Sequence, residues 1–392
     1  MTSKHRPVRI VVIGGGYAGV IAANHLRLNG DVAITLINPR PQFVERIRLH
    51  QRVTGSDDAV VDYADVLASE VRLVVDTAEL IDAASRMVTL GSGETVSYDY
   101  LIYAVGSTGA ALTVPGAAEF AYPISELEHA EALRARLAEL QPGSPVVVVG
   151  AGPTGLETAA ELAEEGWHTT LVCGAVLGPY LSERARRSVT NRLTKLGVTV
   201  VDGEGAKATE VRMGSVLLAD GRRLRSAATV WTAGFGVPDL AARSGLATDA
   251  IGRLLTDETL TSIDNPYIVA AGDASAPSDS PLRMSCQAAI PLGAQAANTV
   301  LSRIAGTEPA VVNQAFTGQC ISLGRKAGTI QLAHLDDRVM PLYISGRTAA
   351  SIKEAVCKGT ISFLRKEARK PGSYFWLKGG KRAAHVAALP VK

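Results

Sequence analysis

The stretch IVVIGGGYAG, residues 10–19, decides the fold of this chain. Its apolar half predicts a buried strand, and its glycines, spaced G-x-G-x-x-G, predict a tight turn into a helix. The same arrangement returns in VVVVGAGPTG, residues 146–155. The glycines of the two copies are Gly14, Gly16 and Gly19, then Gly150, Gly152 and Gly155. Each copy therefore predicts a strand, a turn and a helix N-terminus that can hold a dinucleotide pyrophosphate.

The segments behind the two copies repeat as well. After the first copy, short strands are predicted at 71–76, 78–81 and 87–90. After the second copy, they are predicted at 198–201, 216–218 and 228–234. A further glycine-bearing strand at 267–274 has no counterpart in the second half. We expect this strand to return to the first domain, so that the second unit is inserted in the first.

The composition limits what the protein can be. With 392 residues, 47% of them hydrophobic, the chain can form two or three cores. A net charge of +2 gives no reason to expect nucleic-acid binding. The four cysteines are far apart in sequence and form no C-x-x-C pair, which indicates neither a zinc site nor a disulfide framework and fits a reducing cytoplasm. The histidines show no metal-ligand spacing, so no metal site is predicted.

No segment of the sequence is typical of a membrane or secretion signal. Lys4, Arg6 and Arg9 precede an apolar run, as in a signal peptide, but the first glycine cluster interrupts that run. No stretch approaches the ~18 consecutive apolar residues of a transmembrane helix. Any membrane contact is therefore expected to be peripheral.

Over residues 8 to about 325, these features resemble the flavoproteins with two dinucleotide-binding domains, the pyridine nucleotide-disulfide oxidoreductase superfamily. The resemblance implies a glutathione-reductase-like α/β fold with two Rossmann-like domains, the second inserted in the first, and a small C-terminal α+β domain. We expect an FAD-binding domain at 1–112 and 240–318, an NAD(P)H-binding domain at 113–239 and a C-terminal domain at 319–392.

The resemblance also implies the cofactors, FAD with NADH or NADPH, and their contacts. Predicted FAD contacts are Gly14, Gly16, Tyr17, Ala18, Gly19, Asn38, Pro39, Arg46, Ala104, Gly106, Gly272, Asp273, Gln287 and Ala288. Predicted NAD(P)H contacts are Gly150, Gly152, Pro153, Thr154, Gly155, Glu157, Cys173, Ala233 and Gly234. Asp273 falls where the superfamily places an aspartate on the FAD ribityl chain. Without the family it would be interpreted as a helix N-cap.

The branch of the superfamily follows from what is missing. Its disulfide reductases need two neighbouring thiols beside the flavin, and this chain has no such pair, so a thiol relay is excluded. Residues 150–162 and 284–291 are instead similar to type II NADH:quinone oxidoreductases and to the apoptosis-inducing-factor-like group. In that group the residue at the Glu157 position lies close to the nicotinamide nucleotide. The alternative is a solvated glutamate, mildly repelled by Glu161 one turn later.

Only part of residues 284–291, MSCQAAIP, follows the type II pattern A-Q-x-A-x-Q, which lies beside the flavin and the quinone. Gln287 and Ala289 agree, whereas Cys286 and Pro291 depart from it. Pro291 removes a polar donor to a quinone carbonyl, which puts the quinone pocket in doubt. In the alternative interpretation, residues 291–293 bound a core helix that runs over 294–304.

The preference between NADH and NADPH stays open. The strand ends that usually present an acid to the adenosine ribose carry Asn38 and Cys173 instead. Asparagine still hydrogen-bonds a ribose hydroxyl. Downstream of Cys173, the arginines at 184, 186 and 187 either attract a 2′-phosphate or form a solvated helix face.

The C-terminal segment is strongly basic. Residues 347–392 contain eleven lysines and arginines against two acids. The residues that share helical spacing within it are Ile352, Ala355, Val356 and Gly359, and an aromatic cluster follows at 374–377. This combination suits a helix lying on anionic lipid, and it parallels the membrane-docking region of type II enzymes. Packing on the flavin domain and a homodimer contact remain alternatives.

These features predict an FAD-dependent NAD(P)H oxidoreductase: NAD(P)H reduces the flavin and leaves, and a second acceptor then takes the electrons. Arg46 and Gln287 are predicted beside the flavin, Arg46 as a cation that stabilises its reduced anionic form. The preferred acceptor is a membrane quinone, with the protein at the cytoplasmic face of the membrane. The alternatives are a ferredoxin-like protein or specialised small molecule as acceptor, and a redox sensor that binds NAD(P)H with little turnover.

Overall fold

The computed structural model describes residues 6–388. Lys4 and the end of the basic tail lie outside the described residues. Helices α1 to α11 span Tyr17–Leu26, Leu49–Thr54, Tyr63–Val66, Ala117–Phe120, Leu127–Ala138, Pro153–Glu164, Glu183–Lys195, Leu240–Arg243, Cys286–Ile304, Gly346–Arg369 and Arg382–Ala387. Strands β1 to β25 span Val8–Ile13, Val32–Asn38, Gln42–Val44, Val60–Asp62, Arg72–Val75, Ala78–Asp82, Met87–Leu90, Thr95–Ser97, Tyr100–Tyr103, Thr108–Gly109, Ala121–Pro123, Pro145–Val149, His168–Gly174, Thr199–Asp202, Ala208–Arg212, Ser215–Leu218, Arg223–Arg225, Ala228–Trp231, Phe235–Gly236, Leu254–Thr256, Ile268–Ala270, Ser275–Pro277, Gly318–Ser322, Gly328–Ala333 and Val339–Ser345.

The first large sheet is parallel, with the strand order β21-β9-β1-β2-β5. Its inner strand β1 comes directly before the first glycine loop, and its last four residues are buried. Parallel sheets are covered by helices on both faces, which explains why residues 10–13 of this strand are continuously apolar. Strand β21 pairs with β9 at one edge of the sheet. The chain therefore returns to the first sheet after the second unit, as the sequence predicted.

The second large sheet repeats this architecture. It is also parallel, with the order β11-β18-β12-β13-β14, and β12 leads into the second glycine loop. A small antiparallel sheet accompanies each large one, β6-β7-β8 in the first half and β15-β16-β17 in the second. The α/β fold with an inserted second domain is thus confirmed. The boundaries predicted at 112, 239 and 318 stay predictions.

Helix α9 corrects one expectation, because it begins at Cys286 and not at residue 294. The Ser285 side chain caps it by accepting a hydrogen bond from the Ala288 amide at 3.2 Å. Pro291 lies inside the helix and has no N–H to donate to the carbonyl of Gln287. That carbonyl accepts a hydrogen bond from Gln314 Nε2 instead, at 2.9 Å. The helix continues through the proline because the freed carbonyl has another donor.

The C-terminal unit is an antiparallel sheet, β23-β24-β25, followed by the long helix α10. One face of α10 packs on α1 and on this sheet, and its buried residues include Cys357, Ile361 and Leu364. The predicted stripe lies beside this face, with Ala355 and Val356 exposed. In residues 6–388, none of the helices is both long enough and apolar enough to cross a bilayer.

A buried carboxylate fixes the aromatic segment behind α10. Glu367 is fully buried and accepts hydrogen bonds from His25 Nδ1 at 2.6 Å and from the Tyr374 amide at 2.7 Å. Tyr374 and Trp376 pack against the first core, whereas Phe375 and Leu377 are 80% and 52% exposed. The segment therefore packs on the first core with one side and presents apolar side chains with the other.

Candidate functional site

A cavity of about 910 Å³ lies between the two Rossmann units and helix α10. Gly14 and Gly16 of the first loop line it, and so do Pro153 and Thr154 of the second loop. Lys353 of α10 completes the wall from the C-terminal unit. One cavity thus reaches both dinucleotide loops, which is the arrangement that electron transfer between two bound cofactors requires.

The two glycine loops have the same local geometry. Gly16 and Gly152 are the N-caps of α1 and α6, and a Cβ at either position would meet no atom within 4 Å. A Cβ on Gly19 would lie 1.8 Å from the Gly14 carbonyl oxygen, and one on Gly155 would lie 1.9 Å from that of Gly150. Each loop therefore combines an open approach for a pyrophosphate with a helix packed closely on its strand. The residues fit FAD and a nicotinamide dinucleotide.

Most predicted cofactor contacts lie in the wall of this cavity. From the FAD set these are Gly14, Gly16, Tyr17, Ala18, Asn38, Pro39, Arg46, Ala104, Gly106, Gly272, Asp273 and Gln287. From the NAD(P)H set these are Pro153, Thr154, Glu157, Ala233 and Gly234. Outside the wall are Gly19, Ala288, Gly150, Gly152, Gly155 and Cys173. The structure brings the sets together, and the individual contacts stay predictions.

Asp273 lies in a short 3-10 turn directly after β21, at the carboxyl edge of the first sheet. Its carboxylate accepts hydrogen bonds from the Ser107 hydroxyl at 2.7 Å and from the Ser285 amide at 3.2 Å. Burial raises the pKa of Asp273, and the Ser107 hydroxyl opposes that shift. Because Ser285 is the N-cap of the following helix, the interpretation of Asp273 as its N-cap is wrong. The side chain faces the cavity, as the FAD prediction requires.

Asn38 holds the first glycine loop. Its Oδ1 accepts a hydrogen bond from the Gly15 amide, and its Nδ2 donates one to the Arg40 carbonyl, both at 2.9 Å. The amide thus already has two partners, which leaves one N–H and one lone pair for a ribose hydroxyl. Tyr63 supports the same loop by donating its hydroxyl to the Gly15 carbonyl at 2.8 Å.

Arg46 bridges two loops at the cavity wall. Its Nε and Nη2 donate to the Ser125 carbonyl at 3.0 and 2.7 Å, and its Nη1 donates to the Ser107 carbonyl. Glu126 lies 3.6 Å from the guanidinium and compensates part of its charge. The structure therefore gives Arg46 a positioning role, and its predicted action on the flavin stays a prediction.

Gln287 has an unpartnered atom at the cavity. Its Nε2 donates to the Thr317 hydroxyl at 2.7 Å, while its buried Oε1 has no hydrogen-bond partner within the described chain. A buried unpaired oxygen is unfavourable unless another molecule supplies a donor. Pro291, by contrast, is buried inside α9 and does not line the cavity. The departure from the type II pattern at Pro291 therefore does not change this wall.

Glu157 belongs to a buried charge cluster that joins three parts of the chain. Its Oε1 is 3.0 Å from Lys353 Nζ of α10 and accepts the Ser322 amide, also at 3.0 Å. His50 of α2 lies between two carboxylates, with Nδ1 3.8 Å from Glu157 Oε2 and Nε2 3.9 Å from Glu161 Oε1. Arg325 forms an ion pair with Glu161. Glu157 is 5% exposed and Glu161 2% exposed, so the interpretation of Glu157 as a solvated residue is wrong.

The cluster shifts the pKa values of its members in different directions. Burial acts to raise the pKa of Glu157, but the ion pair with Lys353 outweighs it and the pKa is lowered. Burial raises the pKa of Glu161 to about 7 in spite of Arg325. Burial also lowers the pKa of His50 to about 4. Near neutral pH the cluster therefore contains an ionised Glu157–Lys353 pair, a neutral imidazole and a carboxyl group close to its midpoint.

Three of the four cysteines, Cys286, Cys320 and Cys357, line the same cavity although they are distant in sequence. The sequence argument against a thiol relay, that no two thiols are neighbours, therefore does not hold in space. A different argument replaces it, because burial raises the pKa of all three thiols. Protonated thiols are weak nucleophiles, which argues against an activated pair.

Lys353 and His50 are the site residues that the sequence did not reveal. In the sequence, Lys353 is only one of the basic residues of the C-terminal segment. His50 is only one of the histidines that lack metal-ligand spacing. Neither position carries a local motif, because each acts on a glutamate in another unit of the fold. A lysine next to an apolar helical stripe was the only signal available.

Residues 8–293 match the sequence profile of the pyridine nucleotide-disulphide oxidoreductases. The NADH dehydrogenase-like protein Rv1812c of Mycobacterium tuberculosis is 33% identical over 325 residues, which cover 75% of this chain and 80% of that protein. The type II NADH:quinone oxidoreductase Ndh of the same organism is 29% identical over 348 residues, covering 77% and 74%. The crystal structure of sulfide:quinone oxidoreductase from Aquifex aeolicus superposes with a TM-score of 0.80 at 21% identity, over 93% of both chains, and so has the same fold.

The predicted cofactors, FAD with NADH or NADPH, agree with this family. The sequence profile covers both glycine loops, strand β21 and the turn that carries Asp273. The chain therefore belongs to the pyridine nucleotide-disulphide oxidoreductase family, in which it is an NAD(P)H-dependent flavoprotein oxidoreductase.

Proposed function

We propose that the protein is an NAD(P)H:quinone oxidoreductase and that the quinone takes its electrons at the cavity between the Rossmann units and α10. The observation that carries this proposal is the Glu157–Lys353 pair, buried in the wall of that cavity with a separation of 3.0 Å. A buried ion pair in a redox cavity can supply or accept a proton at a fixed place.

The balance of the reaction explains why a proton donor is needed. NAD(P)H gives up two electrons and one proton as a hydride, whereas a quinone becomes a quinol by taking two electrons and two protons. The second proton must come from solvent through the protein. FAD, when bound at the first loop, supplies the two-electron transfer between the two substrates.

The buried cluster offers a route for that second proton. Lys353 Nζ faces the cavity and can donate to a quinone oxygen, after which Glu157 and His50 lie next in line. Glu161 continues the route, and the Ser56 hydroxyl lies 3.4 Å from its Oε2, toward the surface. The spacings of 3.8 and 3.9 Å around His50 are longer than hydrogen bonds, and such contacts commonly shorten when substrate binds.

The relatives support a quinone as acceptor. Both the type II NADH:quinone oxidoreductase and the sulfide:quinone oxidoreductase act on a quinone according to their names. The two differ in their electron donor, and the second glycine loop of this chain fits a nicotinamide dinucleotide. The proposed donor is therefore NADH or NADPH.

The decisive experiment is anaerobic stopped-flow spectroscopy of the FAD-loaded protein. It is mixed with NADH or NADPH and then with menadione, a water-soluble ubiquinone or oxygen. We expect one nucleotide to bleach the flavin absorbance and a quinone to restore it at a rate that accounts for turnover. A quinone step no faster than that with oxygen would contradict the proposal.

The same experiment separates the two alternatives. Rapid restoration by a ferredoxin, with slow restoration by every quinone, would favour a soluble electron-transfer reductase. A stable long-wavelength absorbance band with the nucleotide bound, and slow restoration by all acceptors, would favour a redox sensor.

We further propose that the C-terminal unit docks on the cytoplasmic face of a membrane. The exposed apolar side chains of this surface are Val356, Phe363, Phe375 and Leu377. The exposed lysines around them are Lys358, Lys366, Lys370 and Lys378. Exposed apolar side chains in a segment that is rich in exposed lysines suit an anionic lipid surface. Val356 also lines the cavity, so the docking surface borders the proposed quinone site.

Vesicle sedimentation tests this docking. We expect binding to vesicles with anionic phosphatidylglycerol, weaker binding to phosphatidylcholine alone, and a loss of several-fold in the Phe363→Ser/Phe375→Ser variant. Met213→Ser is the matched control, because Met213 is 83% exposed in the other half of the molecule. If the double variant instead halves the mass measured by light scattering and binds vesicles normally, the surface is a homodimer contact.

A further inference from the structure

A second cavity, of about 630 Å³, lies between helix α7 of the second Rossmann unit and the C-terminal sheet. It is separate from the dinucleotide cavity and shares no lining residue with it. One face of α7 forms its basic wall, with Arg184, Arg187, Arg192 and Lys195. Of the three arginines that the sequence left between a 2′-phosphate site and a solvated face, Arg184 and Arg187 thus contribute to a different cleft. Arg186 does not line it and donates to the Leu177 and Leu181 carbonyls instead.

Half of these cations have no counterion. Glu183 lies 3.4 Å from Arg187, and Glu164 lies 3.0 Å from Arg192. Arg184 and Lys195 form no ion pair within residues 6–388. The cleft therefore carries an excess of positive charge, which favours an anion.

The opposite wall adds the positive end of a helix. Ser345 and Gly346, the N-cap and first residue of the 24-residue helix α10, line the cavity. The Ser345 side chain does not cap the helix. The amides of the first turn thus lack a side-chain acceptor, and the helix dipole directs a partial positive charge toward the cleft.

An independent observation points to an absent ligand. Thr329 of β24 borders the cavity, its side chain is fully buried, and its hydroxyl has no hydrogen-bond partner in the described structure. A buried hydroxyl without a partner is unfavourable, and such groups are rare in folded proteins. An oxygen-rich anion in the cleft would accept this hydrogen bond.

We propose that this cleft binds the phosphate group of a soluble phosphorylated small molecule. Arg184 and Lys195 supply the charge, the α10 N-terminus supplies the amide dipole, and Thr329 supplies a hydroxyl donor. The cleft is larger than a phosphate ion, and the half-buried Tyr343 offers apolar surface to the rest of the molecule. Such a ligand would connect α7 with the helix that carries Lys353.

Isothermal titration calorimetry tests this site with inorganic phosphate and with adenosine 5′-monophosphate as probes. The FAD-loaded protein is kept saturated with NAD⁺ and NADP⁺ at constant ionic strength, so that the dinucleotide sites are filled. We expect one further site per chain with at least one of the two probes. Absence of binding, or binding that disappears once the dinucleotides are present, would overturn the proposal.

Three variants locate the site. Arg184→Gln and Thr329→Val should weaken probe binding by about tenfold or more, whereas Lys207→Gln, which removes an exposed cation of the same unit, should leave it unchanged. Thr329→Val should also unfold at the same or a higher temperature than the parent protein without a probe, because it removes an unpaired hydroxyl. Equal binding by all variants would overturn the proposal.

A lipid source of the phosphate is tested separately. Vesicles with phosphatidic acid are compared with phosphatidylcholine vesicles in the parent protein and in Thr329→Val. Binding that depends on Thr329 with these vesicles but not with the soluble probes would contradict a soluble ligand. None of these measurements uses turnover, so they stand or fall independently of the proposed quinone reaction.

Discussion

Helices α1 and α6 begin at equivalent glycine loops, yet the two helices bury different kinds of side chain. All ten residues of α1 are buried, and none is acidic. Helix α6 is buried over most of its length too, but it carries Glu157 and Glu161 on the buried side. The first loop leads into an apolar core, and the second leads into a charge cluster at the proposed reaction site.

The two glycine loops form similar binding sites, and side chains from other parts of the chain make these sites different. Asp273 lies near the first glycine loop because β21 returns to the first sheet. Lys353 and Arg325 reach α6 from the C-terminal unit, and His50 reaches it from the first. Buried carboxylates require such partners, since an unpaired charge in a low-dielectric interior is costly.

The largest effects should come from replacing the third glycine of each loop by alanine. Gly19→Ala and Gly155→Ala both place a Cβ within 2 Å of a backbone carbonyl oxygen, and relieving such a clash costs about 1–3 kcal/mol. We expect Gly19→Ala to lose FAD, and Gly155→Ala to keep FAD while its KM for NAD(P)H rises about tenfold or more. Flavin content and steady-state kinetics measure the two outcomes.

Gly30→Ala is the matched control, because a Cβ at Gly30 would meet no atom within 4 Å. It should keep both flavin and nucleotide binding. If Gly155→Ala loses FAD while Gly19→Ala retains it, the two loops have been assigned in the wrong order.

The next effect concerns the charge pair at α6. Glu157→Gln keeps the shape but removes the carboxylate, and we expect the quinone half-reaction to slow on the order of 100-fold. Reduction by NAD(P)H should change by only a few fold, because that step does not need the second proton. The two half-reactions are measured separately by stopped flow.

Lys353→Met should slow the same half-reaction and should also destabilise the protein by about 3–5 kcal/mol, since it leaves Glu157 buried without its counterion. Lys358→Met is the control on the same helix, where the side chain is 75% exposed. Equal slowing of both half-reactions in Glu157→Gln would show that the pair positions the nucleotide and does not supply a proton.

A smaller effect should appear in stability as a function of pH. The pKa of Glu161 is raised from 4.5 to about 7, so its contribution to stability is complete below pH 4.5 and is lost as the pH rises toward 7. The free energy of unfolding of Glu161→Gln, relative to that of the parent, should therefore rise by roughly 3 kcal/mol as the pH increases from 4 to 8.

Urea unfolding at a series of pH values measures this difference, with Glu165→Gln, at the exposed C-cap of the same helix, as the control. A parent-minus-variant difference that is flat across this range would mean that the pKa of Glu161 is not raised in the folded protein. Helix α6 would then hold two buried carboxylates that are both ionised at neutral pH, and the proton route through Glu161 would fail.

The similarity of the two loops could be predicted from the sequence, because the residues that form each loop are close together in the chain. The end of a strand, three glycines and the start of a helix lie within ten residues, and the alternating strands behind them follow a period of two. The return of β21 was also predictable, since residues 267–274 were a glycine-bearing strand without a counterpart.

What distinguishes the loops was less predictable, because it depends on side chains that meet from distant segments. Nothing near Lys353 marks Glu157 as its partner. The start of α9 was misplaced for a similar reason: Pro291 suggested a boundary, but Gln314 supplies the missing donor from another part of the chain. The cysteines were judged by their separation in sequence, whereas packing places three of them around one cavity.

Those three cysteines should give the smallest effect. They line the cavity where the quinone is proposed to bind. Burial raises their pKa values, that of Cys357 to about 11, so the thiols are protonated at neutral pH. We expect Cys286→Ser, Cys320→Ser and Cys357→Ala to change quinone turnover by less than about twofold. Loss of turnover in Cys320→Ser together with rapid alkylation of the native thiol would show an activated cysteine, and electrons would then pass through sulfur on the acceptor side.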